Sequence, residues 1–235
     1  MDTLRLGIKR LPAWWSRSIG SVRGSFASGC HDWRSGDRER LLRAARTAEL
    51  LHDGTVRDGG AGPYILHPYR VAVSLMIEVG LSRPELIEAA LLHDTLEDSE
   101  FSAESLECAF GHEVTRIVRA VTRPAKPAAT AMPNGAAGTR RGDHAGDPYI
   151  RQLIAGGDDV LTLKLADKLD NLRDALDHPS AAKRFKWVTE TTEVYATLAD
   201  YITDRPLAAR LRGLLNDVLE AHASVSSLSA SNPLG

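Results

Sequence analysis

Apolar positions recur three and four residues apart along most of this chain, a period that predicts helices rather than strands. From about Asp37, the residues Leu41, Leu42, Ala45, Ala48 and Leu51 line one face of an amphipathic helix running to about Asp53. Residues 57–62 read as a Gly-rich loop, and Pro63 leads into Tyr64-Ile65-Leu66-His67-Pro68. Pro68 suits the first turn of a helix, where its missing N–H costs nothing. That helix carries Val71, Ala72, Leu75, Met76 and Val79 and stops at Gly80. Ser82 is placed to cap the next, with Pro84 and Glu85 in its first turn, and this helix delivers His93 and Asp94.

Helices over 102–110 and 112–122 follow. Residues 123–146 then dissolve into Pro, Ala, Gly and Thr. Such a stretch buries too little apolar surface to offset its ordering entropy, so a mobile loop is expected. Periodicity resumes near Pro148 with Tyr149, Leu153 and Ile154, and the strongest stripe is Leu161, Leu165, Leu169 and Leu172. After Pro179, two more helices are predicted over 181–202 and 206–222, with a frayed Ser-rich tail from Ser224. Residues 1–36, basic and serine-rich, read as a flexible extension outside the folded unit of 37–223, with Trp14 and Trp15 available to dock on the body. No strand run and no internal repeat is visible. The fold class is all-α, a bundle of about nine or ten helices.

Composition narrows the function classes. A net charge of −2, 6% aromatic residues and no Lys/Arg block argue against a nucleic-acid surface. No apolar stretch approaches the roughly 20 residues of a membrane span. Cys30 and Cys108 lack any metal-ligand spacing and read as free thiols in a reducing, cytoplasmic compartment. The surface pattern leaves the oligomeric state open.

The chemistry concentrates in His93-Asp94-Thr95-Leu96-Glu97-Asp98. Helical spacing sets His93 above Glu97 and Asp94 above Asp98, giving one wide face. Three acids this close repel unless a cation sits among them; a divalent metal is the simplest, and the His-Asp pair offers it one nitrogen and one oxygen. His67, at a helix start beside Pro68, is the third candidate ligand, with local capping as its alternative. Asp167 is the next acid. It shares one arc of a helix with Asn171, Lys164 and Lys168, and a solvated face with intrahelical ion pairs is the competing reading.

The order His67, His93-Asp94, Asp167 resembles the HD-domain metal phosphohydrolases. More narrowly, "PYILHP", "ALLHDTLEDSEFSAESLECAFGHEVTRIVRAVTR" and "LKLADKLDNLRDAL" are similar to the hydrolase domain of the RelA/SpoT homologue family, from about residue 38 to about 200. The length resembles that of the small alarmone hydrolases. The resemblance implies that His67, His93, Asp94 and Asp167 hold one Mn²⁺, with other divalent ions admitted by the same donors. It implies that Glu97 and Asp98 activate the attacking water and handle charge at a 3′-pyrophosphate. The implied reaction converts guanosine tetra- or pentaphosphate (ppGpp, pppGpp) to GDP or GTP and pyrophosphate, making a small nucleotide the partner. Arg57 matches a substrate-binding arginine and Asn171 a ribose-side asparagine, while Lys164 and Lys168 are placed to offset phosphate charge. Asp58 stands where the family usually has lysine, and the 123–146 loop differs from the family's charged helix. Both departures keep another nucleotide open as substrate, such as the 2′-phosphate of NADPH; a nucleotide-binding module with little turnover is a separate alternative.

Overall fold

The structure, a computed structural model, describes residues 11–60, 62–124 and 147–230, with no side-chain placement for 225–230. The expected loop at 123–146 falls outside the described residues except for Arg123 and Pro124, as do residues 1–10 and 231–235. Among the described residues the chain is all-α, apart from one isolated bridge between Val56 and Pro63.

The first helix, α1 (Ile19–Gly29), lies within the stretch expected to be a flexible extension. Ser18 caps it, and Val22 and Phe26 are fully buried against α3 (Leu66–Val73). The Phe26 and Tyr69 rings meet edge-on with centroids 5.2 Å apart. Residues 19–29 therefore belong to the folded body. Helix α2 (Ser35–Leu51) buries Leu41 and three alanines, Ala44, Ala45 and Ala48, against α4 (Pro84–Leu92). Its Arg40 pairs at 2.6 Å with Glu88, whose carboxylate is out of water.

Every residue of α3 is buried, including His67 and Arg70, so this helix is core on all sides. It widens into a π turn over Ser74–Val79, and Gly80 ends it at φ 79°, a left-handed conformation that glycine adopts without penalty. Pro84 opens α4 as expected, but its cap position is Arg83 rather than Ser82, with no side-chain cap bond. After Leu92 the helix breaks at His93 and Asp94, and a single turn, α5 (Thr95–Asp98), follows. Helix α6 (Ala103–Val121) is broken at Gly111, where the two predicted segments meet.

Asp147 caps α7 (Pro148–Ala155), its carboxylate accepting from the Tyr149 amide. Helix α8 (Asp158–Ala175) packs against α3, α4, α6, α7, α9 and α10 and runs through the middle of the molecule. Here α9 is Ala181–Glu193 and α10 is Arg205–Ala230. The expected 181–202 helix divides at Val194 into α9 and a 3₁₀ segment, Tyr195–Tyr201. Helix α10 runs past Ser224, where fraying is expected, to Ala230. Cys30 is buried, Cys108 is exposed and neither is bridged. No described helix is long and apolar enough to cross a membrane.

Phe26→Ala tests whether α1 is structural. Truncating a buried phenylalanine costs about 3–5 kcal/mol, so urea denaturation should show a loss of that size. An unchanged midpoint would mean that α1 is not part of the cooperative unit.

Candidate metal centre

Two helices and the break at the end of a third converge on a single point. His67 comes from the first turn of α3, His93 and Asp94 from the break after α4, and Asp167 from the middle of α8. Side-chain ligand atoms of His67, His93 and Asp167 lie within 4.8 Å of one another, and all three residues are buried. Asp94 Oδ2 completes the group, 3.2 Å from His93 Nε2 and 3.7 Å from His67 Nε2.

The hydrogen bonds behind the two imidazoles decide which nitrogens face inward. His93 Nδ1 lies 2.8 Å from the Ala90 carbonyl, an acceptor only, so Nδ1 carries the proton and Nε2 presents a lone pair. That Nε2 is buried and has no hydrogen-bond partner among the described residues. His67 Nδ1 lies 2.8 Å from the Asp170 carboxylate, while its Nε2 points to Asp167 Oδ1 at 3.2 Å. A buried, unpartnered imidazole nitrogen facing two carboxylates fits a divalent cation with mixed nitrogen and oxygen ligands.

The carboxylates stay ionised despite burial. Burial opposes ionisation of Asp167, but Lys164 at 2.9 Å, with Lys168 nearby, holds its carboxyl well below the usual range. Asp94 is also lowered against its burial, by the two imidazoles and the Tyr64 hydroxyl, which donates to Oδ2 at 2.7 Å. For Asp170, burial is outweighed by Arg70 and the His67 hydrogen bond, again depressing the carboxyl.

Above this group is a cleft of about 200 Å³ lined by Arg57, Tyr64, Glu97, Arg123, Tyr149, Lys164, Lys168 and Asn171 together with His67, Asp94 and Asp167. Lys168 stands 4.4 Å from the centre of the Tyr195 ring and makes no ion pair with a described residue. Burial lowers its ammonium, with Asp167 opposing. Arg57 donates to Asp174 Oδ2 at 3.0 Å and Asn171 Oδ1 at 2.7 Å, and Asn171 donates in turn to Asp167 Oδ1 at 2.6 Å. A larger cavity of about 810 Å³ runs along α2 and the loop after it, lined by Arg23, Arg46, Glu49, His52 and Asp53 among others, and among the described residues the cluster of metal-ligand atoms is at His67, His93 and Asp167 instead.

Several expectations change with these positions. Asp167 is only 5% exposed, so the competing picture of α8 as a solvated face fails there. The single wide face expected for His93, Asp94, Glu97 and Asp98 does not form, because the helix breaks at His93 and Asp94. His93 is buried; Glu97 and Asp98 are exposed, and of these two only Glu97 lines the cleft, its Oε1 accepting from the Arg123 amide. Asp58 does not line the cleft. It turns to α9, where Lys183 pairs with it. Its loop folds down there because Gly59, at φ 74°, leaves room for the His178 ring, which a Cβ would approach to 2.7 Å. Tyr64, Arg70, Arg123, Tyr149, Asp170 and Asp174 were missed as site residues. Tyr64 was the nearest of them in sequence to a predicted ligand, in the turn three residues before His67.

Residues 44–201 match the HD domain family profile, two thirds of the chain. The chain belongs to the HD-domain family. It is 36% identical over 163 residues to a GTP pyrophosphokinase of Streptomyces coelicolor, covering 68% of this chain and 17% of that one. It is also 36% identical to a guanosine-3′,5′-bis(diphosphate) 3′-pyrophosphohydrolase of Aquifex aeolicus, covering 68% and 21%. This chain thus spans about a fifth of the length of these long relatives. A shorter relative, the 3′-pyrophosphohydrolase MESH1 of Xenopus tropicalis, is 33% identical over 68% of this chain and 86% of its own. The fold matches a solved structure described as a metazoan ortholog of SpoT that hydrolyzes ppGpp, with TM-score 0.60, 25% identity and coverage of 79% of this HD-domain chain and 96% of the other.

The depressed carboxyls of this HD domain predict an acid limb of stability. Asp170 titrates below its unfolded value of about 4, so the unfolded state takes up the proton first. Its stabilisation is complete above that unfolded value and is lost as pH falls toward the folded one. Urea denaturation of metal-free protein between pH 3 and 7 should therefore show an acid decline that is shallower in Asp170→Asn; equal slopes would contradict the pairing.

Proposed function

We propose that this HD-domain chain is a Mn²⁺-dependent phosphohydrolase that removes the 3′-pyrophosphate of guanosine tetra- and pentaphosphate, yielding GDP or GTP and pyrophosphate. The observation that carries this reading is the unpartnered Nε2 of His93, buried beside His67 and Asp167 beneath a cleft with four cationic side chains, Arg57, Arg123, Lys164 and Lys168. The relatives support the substrate: the one matched over 86% of its length is named as the 3′-pyrophosphohydrolase. A cytoplasmic location, where both thiols stay reduced, belongs to the same reading.

A divalent cation held by His67, His93, Asp94 and Asp167 supplies Lewis acidity, which lowers the pKa of water and offsets phosphate charge. The protein's own groups then divide the work. Glu97 stands on the cleft wall and accepts the proton of the attacking water, while Asp98 sets the local field from outside the cleft. Lys168, which makes no ion pair with a described residue, meets the negative charge that accumulates on the departing pyrophosphate. Lys164 is already engaged with Asp167 and acts by holding that carboxylate in place. Arg57 and Asn171 bond to each other on the cleft wall and meet the nucleotide there. The case for a different nucleotide rested partly on Asp58, whose charge is taken up by Lys183.

Incubation with ppGpp and Mn²⁺ should release pyrophosphate and GDP, stop with a chelator and resume on adding metal back. Release of orthophosphate from another nucleotide in a panel, with no pyrophosphate from ppGpp, would overturn the substrate. Glu97→Gln should lower kcat by about 10²–10⁴-fold, with a much smaller loss for Asp98→Asn. The reverse order would exchange their roles.

A further inference from the structure

The two imidazoles of the centre are supported differently. Behind His93 is a backbone carbonyl, the Ala90 oxygen. Behind His67 is a carboxylate, Asp170, three residues along α8 from Asp167 and only 1% exposed. All four acceptor positions of Asp170 are taken. Its Oδ2 accepts from His67 Nδ1 at 2.8 Å and from Arg70 Nη2 at 3.0 Å. Its Oδ1 accepts from Arg70 Nε at 2.8 Å and from the indole Nε1 of Trp15 at 3.0 Å. Arg70 is fully buried and passes its remaining charge to Asp174 at 2.6 Å, and the Trp15 ring lies under its guanidinium, 4.6 Å from the centroid.

We infer that Asp170 is a positioning residue for the metal ligand His67, and that Trp15, from the segment before α1, locks it in place. A carboxylate accepting from Nδ1 fixes the tautomer that leaves Nε2 free for a cation, sets the plane of the ring and makes that nitrogen a stronger donor. Asp170 can do this only with its orientation fixed, and four donors from three side chains, two on α3 and one on the segment before α1, fix it. The N-terminal segment thereby contributes to metal affinity from a residue that touches no ligand atom of the centre. This inference rests on the metal reading above and is independent of which nucleotide is hydrolysed.

Titration calorimetry of the full chain with Mn²⁺ tests it, with thermal unfolding recorded for each variant. Asp170→Asn should weaken Mn²⁺ binding about 10–100-fold. Trp15→Phe keeps the ring under Arg70 and removes one donor, so it should weaken binding by up to about tenfold, in line with a single hydrogen bond to a charged group. Glu88→Gln neutralises another fully buried carboxylate, one paired with the part-exposed Arg40 rather than with the centre; it should lower stability and leave Mn²⁺ affinity unchanged. That control separates positioning from general destabilisation. Wild-type affinity in folded Asp170→Asn would overturn the inference, and so would an equal loss in Glu88→Gln. If Asp170→Asn does not fold, unchanged affinity in Trp15→Phe overturns it. No Mn²⁺ binding by the wild type would remove the metal reading itself, an outcome distinct from the others.

Discussion

Three carboxylates of α8, Asp167, Asp170 and Asp174, are each no more than 5% exposed within eight residues of one another. Taking even one such charge out of water costs several kcal/mol unless it is paired and hydrogen-bonded. The packing of the molecule around α8 meets that requirement. Asp174 receives Arg57 and Arg70, Asp170 receives Arg70, His67 and Trp15, and Asp167 receives Lys164, Asn171 and His67. These partners fix α3, the Arg57 loop and the segment before α1 against a single helix. An apolar core would hold the same helices with less electrostatic cost; the ionic one places two inward-facing imidazole nitrogens beside two carboxylates.

The chemistry follows from that placement. A centre rich in anionic oxygens has room for a cation, and the walls above it carry positive charge. The two regions therefore suit opposite ends of the same problem: activating water below and accepting a polyanion above. Glu97 lies on the cleft wall, on the one-turn helix that follows the break at His93 and Asp94. Without that break, Glu97 would follow His93 along the same helical face.

Much of this was legible in the sequence, and what was hidden has identifiable causes. Leu161, Leu165, Leu169 and Leu172 gave away α8 because an apolar stripe keeps its period wherever it packs. The opposite arc of α8 was ambiguous, because paired charges buried against distant partners have the same spacing as charges in solvent. The partners that settle it, Arg70 and Arg57, are 100 and 117 residues away from the acids they meet. Helix α1 was hidden for another reason: only Val22 and Phe26 are buried among its glycines and serines, too few to make a period. The break at His93 carries no proline or glycine to announce it.

The central claim is that His67, His93, Asp94 and Asp167 form one metal centre braced through α8. An anomalous difference map from crystals grown with Mn²⁺ tests it most directly. The account predicts one strong peak within coordination distance, roughly 2.0–2.3 Å, of His67 Nε2, His93 Nε2 and both carboxylates. A metal peak elsewhere in the molecule, with none at these four residues, would contradict it.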